Sequence, residues 1–165
     1  MNDRPHIRPP LSQLDNRFEL VAKILLLLLW CLSVYTFLKL PDRIPIHFDL
    51  SGQVDKYGNK LLELILPVIA TGIYLLLSLL TRYPYIFNYP VRITEANAAK
   101  QYGMANSLLR FIKLSVLIVF FLVILITYLT ALGIIKGLGM WFLPFIVILF
   151  ATPVIIYISK AFKDK

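Results

Sequence analysis

The residues best suited to chemistry in this chain fall in one short stretch, 43–60. Arg43-Ile-Pro-Ile-His-Phe-Asp-Leu50 runs on into Ser-Gly-Gln-Val-Asp-Lys-Tyr-Gly-Asn-Lys60. His47, Asp49, Asp55 and Lys60 form the candidate ligand-binding set, and three kinds of chemistry are open to them. They could hold the segment together, with Asp55 paired to Lys60 and His47 hydrogen-bonded. They could line a ligand site that meets ions or peptides. Or His47, Asp49 and Asp55 could hold a divalent metal for hydrolysis. That third use lacks its usual companions: there is no paired-histidine H-E-x-x-H motif, no G-x-S-x-G elbow and no glycine-rich phosphate loop. No metal ligand set, cofactor or catalytic residue is therefore assigned, and the reading leans away from an enzyme.

The pattern of the stretch says how it would present these groups. From Arg43 to Leu50 apolar and polar residues alternate strictly. Ile44, Ile46, Phe48 and Leu50 would share one face of an extended segment, and Arg43, Pro45, His47 and Asp49 the other. Ser51-Gly52 offers a turn, and the chain returns through Gln53, Val54 and Asp55. The expectation is a hairpin-like flap, apolar side down, with His47, Asp49, Asp55 and Lys60 converging above.

The flanking elements must be membrane spans. Hydrophobic residues make up 59% of the chain and charged residues 16%, against roughly 45–50% and about 25% in soluble domains. The surplus is gathered into runs of about 20 residues, the length of a helix crossing the hydrocarbon layer. The fold class is an all-α membrane protein with four transmembrane helices, 20–40, 61–80, 111–135 and 140–159, in one domain over 1–165. The flap, 41–60, joins the first two. Residues 1–19, with Pro5, Pro9 and Pro10, are expected to form a flexible tail. A cleavable signal peptide is not expected, because the apolar run starts late and no small-x-small pattern follows it. Lys23 and Lys39 can snorkel from the first span, and Cys31 within it reads as packing. Glu63 is placed in the first turn of the second span, favoured by the helix dipole, and Pro67 is expected to bend that span.

Residues 81–110 are mixed in character. Thr94 can cap a helix, with Glu95 behind it. Ala98, Tyr102, Ala105, Leu109 and Ile112 then recur at helical spacing, opposite Lys100, Ser107 and Arg110. This predicts an amphipathic helix that leads into the third span. Gly133 and the cluster at 136–139 make a reversal, and Pro144 and Pro153 interrupt the fourth span.

The net charge of +8 flanks apolar runs rather than forming an arginine-rich block. Anionic lipid headgroups account for that placement, and no nucleic-acid partner is expected. With four spans, twelve of the 17 basic residues share a side with both termini. The short-loop rule places that side in the cytoplasm and the flap outside. No ionisable residue is placed near the centre of a span, which weighs against a transport component or small channel. Oligomerisation and a protein or peptide partner at the outer loop remain open.

Pro41-Asp42-x-Ile44-Pro45-x-His47-Phe48-Asp49, then Gly52, Asp55, Tyr57, Gly58, Lys60 and Pro67, closely resemble a small membrane domain of unknown function. That domain also forms the N-terminal part of SdpI-type bacterial immunity proteins. The resemblance runs from the first span into the second and departs from the family pattern at Asp49 and Val54. It implies a bacterial cytoplasmic-membrane protein with His47, Gly52, Asp55 and Lys60 as marked positions. Protection against a toxin is the activity associated with the longer SdpI-type architecture, so an immunity-like role is what the resemblance implies. The polar patterning concentrated in the flap points to a non-enzymatic recognition or signalling protein.

Overall fold

The computed structural model describes residues 4–164; Asp3 and Lys165, both counted in the charge balance, lie outside them. The chain runs α1 (Gln13–Lys39), β1 (Arg43–Phe48), β2 (Val54–Asn59), a 3-10 segment (Lys60–Leu64), α2 (Ile65–Leu80), a 3-10 turn (Pro84–Ile86), α3 (Ala98–Ala131) and α4 (Phe142–Lys163). Among the described residues, four helices are long and apolar enough to cross a membrane. The chain is a multi-pass membrane protein in architecture.

Local sequence sets the helix ends. Ser12 accepts from the Asp15 amide while the Asp15 carboxylate accepts from the Ser12 amide, a reciprocal capping box that starts α1 inside the stretch expected to be tail. Leu40 leaves the helix in extended conformation, as a residue before proline prefers, and Pro41 opens the next segment. Pro67 is buried in the first turn of α2, just after the 3-10 segment gives way to α-helix. Pro144 lies in the first turn of α4 and Pro153 in its interior.

The core joins three helices. Ala22 and Leu29 of α1, Ala70 of α2, and Leu117 and Ile124 of α3 are fully or almost fully buried together. The alanines let backbones approach closely, which helix association in lipid depends on. α4 packs against α3 and leaves most of its surface outward.

The connections sort to two ends. At one, the ribbon β1–β2 reaches the loop between α3 and α4: Gln53 bridges Gly137, and the Gly139 amide donates to Gly52 O at 3.3 Å. At the other, Arg4 donates to Phe87 O at 2.6 Å, and His6 stacks on Tyr85. Gln101 there donates to Ala161 O and Asp164 O. Both ends of the described chain and the α2–α3 connection thus share one end of the bundle. α3 is continuous from Ala98, but its buried side is not the apolar stripe alone. Gln101, Asn106, Arg110 and Lys113 are buried with Tyr102 and Ala105. Arg110, expected on a solvated face, is turned inward.

Candidate functional site

The stretch 41–60 folds as an antiparallel two-stranded ribbon with irregular register on either side of His47. Each irregularity twists the strand and re-aims side chains, so the strict alternation of the sequence is not kept. Ile44 and Pro45 are both buried, Ile46 and Phe48 half-buried, and Leu50 is 85% exposed. Pro45 therefore moves from its expected outer face to the inner one, and Leu50 leaves the apolar face for the open tip. Tyr57 is exposed, while Gly58 lies under Ile46, whose side chain occupies the space a Cβ would need.

The four proposed ligand residues do not converge. His47 Nδ1 and Asp55 Oδ1 meet at 2.7 Å across the ribbon, with 64% and 45% of their side chains exposed. Asp49 serves its own turn. Its Oδ1 accepts from the Ser51 amide, the Ser51 hydroxyl and the Gln53 amide at 2.6–2.9 Å. The Ser51 hydroxyl bond and then the Gln53 amide hold its carboxyl below the usual aspartate value. Gly52 completes that turn at φ +77°, and a side chain there would collide with the Gly139 backbone. Lys60 is not paired with Asp55. Its Nζ donates to Leu40 O at 3.1 Å, lies 3.3 Å from Asp42, and sits over the Phe37 ring. It ties the end of α1 to the base of the ribbon. Lys60 is thus fastened within the fold, whereas Asp49 commits only its Oδ1 to the turn, and His47 and Asp55 face solvent.

Beside His47 is a cleft of about 420 Å³ between the ribbon tip and the start of α4, lined by His47, Asp49, Phe48, Leu50, Phe142 and Leu143 among others, with Asp55, the partner of His47, outside the lining. One polar pair beside an apolar cleft can recognise an amphipathic ligand. The metal set of His47, Asp49 and Asp55 is not assembled, because Asp49 points into its own turn. Among the described residues no three His, Cys, Asp or Glu side chains are grouped to hold a metal.

Residues 24–71 match the family described as a domain of unknown function, DUF1648. The match begins within α1, covers the whole ribbon and ends in the first turns of α2. An uncharacterized protein of Archaeoglobus fulgidus is 33% identical over 89 residues, covering 49% of this chain and 49% of that protein. The chain thus spans about half the length of the curated relative it matches. No solved structure matches. The DUF1648 segment carries the ribbon and its fastenings, whereas the partners that receive the ribbon tip, at 137–143, lie outside it.

A second constellation sits at the opposite end of the bundle. Lys113 Nζ donates to both Glu19 oxygens at 2.7 and 2.8 Å and to Ser78 Oγ at 2.9 Å. Arg110 Nε lies 3.2 Å from Glu19, and its guanidinium 3.7 Å from Asp15. Asp15 also accepts from Ser107 Oγ at 2.7 Å. Two acids of α1 thus meet two bases of α3, with Lys113 only 1% exposed. Sequence reasoning did not bring these four together. The available signal was spacing: Asp15 and Glu19 are four apart, Arg110 and Lys113 three, so each pair shares a helix face.

Proposed function

We propose that this protein is a non-enzymatic recognition or signalling protein of the bacterial cytoplasmic membrane, with both termini inside and the ribbon facing out. The ribbon takes up a peptide or other amphipathic envelope ligand. His47 and Asp55 supply the polar contact, and the cleft of Phe48, Leu50, Phe142 and Leu143 receives the apolar part. The observation that carries this reading is the exposed His47–Asp55 pair beside that cleft. The excess of basic residues at the end that holds both termini supports the orientation, and anionic headgroups would meet them there. An immunity-like role is part of the proposal through the family resemblance.

The test is a set of single substitutions, His47→Ala, Asp55→Ala and Lys60→Ala, assayed for protein level in the membrane and for complementation of a deletion strain. His47→Ala and Asp55→Ala should leave the protein level intact and abolish complementation, while Lys60→Ala should lower the level itself. Loss of the protein in all three would make the ribbon purely structural. Reporter fusions at Gly52 and near the C-terminus should report opposite compartments.

A transport component is the second reading, and the buried quartet of Asp15, Glu19, Arg110 and Lys113 favours it, because ionisable groups within spans commonly mark ion pathways. Solute uptake into proteoliposomes that is lost on Lys113→Met, with the fold retained, would support it over recognition.

A further inference from the structure

Beneath the ribbon lies a polar group that the recognition reading does not use. Glu63 stands in the 3-10 segment before α2 and is only 4% exposed. Its Oε1 is 2.6 Å from Thr36 Oγ1, which is in turn 3.0 Å from Ser33 O. A threonine hydroxyl has one hydrogen, and both a carbonyl and an ionised carboxylate can only accept. The two short contacts are satisfied together when Glu63 carries a proton and donates it to Thr36, which donates to Ser33 O. The other oxygen, Oε2, is buried and has no hydrogen-bond partner among the described residues.

Glu63 lines a cavity of about 140 Å³ with Ile44, Ile46, Phe48, Leu66 and Val123, and Thr127 is the only other polar side chain in that lining. Hard metal ions require six or more oxygens, and this wall offers a carboxylate and a hydroxyl. Cavities of about 150 Å³ hold a molecule of benzene's size. The wall therefore suits a ligand with one charged N–H group on a few carbons. We propose that this cavity is a binding site for a small alkylammonium ion, whose charged nitrogen engages the Glu63 carboxyl and the Thr127 hydroxyl while its hydrocarbon packs on Ile44, Ile46 and Leu66.

Binding balances through a proton: the neutral carboxyl releases its proton to solvent, and the carboxylate pairs with the incoming ammonium. No other titratable side chain lines the cavity from β1, α2 or α3. From α1 the group facing Glu63 is Thr36, and Lys60 on the same segment turns its Nζ to Leu40 O and Asp42. Phe48 lines both this cavity and the surface cleft. The site stands apart from the His47–Asp55 pair and does not depend on how that pair is used.

The probe is n-butylammonium chloride, titrated calorimetrically into the full-length protein in detergent micelles, in two buffers of different ionisation enthalpy, with n-butanol as the neutral counterpart. The wild type should bind n-butylammonium with release of a proton, seen as a difference in apparent enthalpy between the buffers. Glu63→Gln should weaken that binding by about tenfold or more while leaving n-butanol unaffected, and Thr127→Val should weaken it by a smaller factor. Equal affinity of wild type and Glu63→Gln would overturn the site, as would n-butanol binding as tightly as the ammonium or no proton release on binding. Proton release is read on the wild type alone, so the proposal stays testable if Glu63→Gln fails to fold.

Discussion

The two ends of this bundle hold their charges in opposite ways. At the ribbon end, His47 and Asp55 stand in the open, 2.7 Å apart, on a two-stranded element anchored at its base by Lys60 and at its tip by Gly139. At the other end, Asp15, Glu19, Arg110 and Lys113 are turned inward between α1 and α3. An exposed pair in water is worth about 0–1 kcal/mol, because solvent already satisfies both partners. A buried pair is different: removing one partner strands the other charge away from water. The difference separates a region that can trade its contacts for a ligand from one whose contacts fix the helices in place.

The strongest way to break the comparison is Lys113→Met. It leaves Glu19 facing Arg110 alone and should cost about 3–5 kcal/mol, measured as unfolding in mixed micelles with increasing denaturing detergent. A loss below that of an exposed pair would mean the quartet does not hold α1 to α3. Next in size is Gly52→Val. A left-handed backbone costs a residue with a side chain about 1–2 kcal/mol, and the new Cβ would strike the Gly139 backbone. The Gly139 amide should lose its protection from hydrogen exchange while the core helices keep theirs.

His47→Ala should change stability by less than about 1 kcal/mol, since both partners stay hydrated, and still abolish function. A destabilisation approaching that of Lys113→Met would erase the contrast between the two ends. The smallest effect concerns pH. The turn holds the Asp49 carboxyl below its ordinary value of 3.8, so the folded turn prefers the ionised form. Its contribution is present in full above that value and is lost as pH falls through the lower, folded one. Exchange protection at the Ser51 and Gln53 amides should follow that course, and Asp49→Asn should flatten it.

The helical part of the fold was legible because its signal is local. Four apolar runs report their partition into lipid without reference to one another, and the four long apolar helices coincide with them. The turn was legible too, since Asp49, Ser51 and Gly52 interact within five residues. Lys60 was misassigned for the opposite reason. Asp55 is its near neighbour in sequence, but its partners Leu40 and Asp42 lie about twenty residues back, beyond the ribbon. Leu50 and Pro45 were misplaced because alternation presumes a regular strand, and the breaks in register around His47 remove that premise. Asp15 and Glu19 lie some ninety residues from the bases they meet, so only the packing of α1 against α3 could join them.

By itself, the sequence determined that four stretches cannot remain in water and that one polar segment between the first two must turn back on itself. Hydrophobic partition and turn chemistry are properties of short windows, so both could be read along the chain. Tertiary structure alone decided which charges are solvated and which are enclosed. It left His47 and Asp55 outside, brought Lys113 to Glu19, and put Glu63 under the ribbon, because burial depends on what other helices bring to the same place.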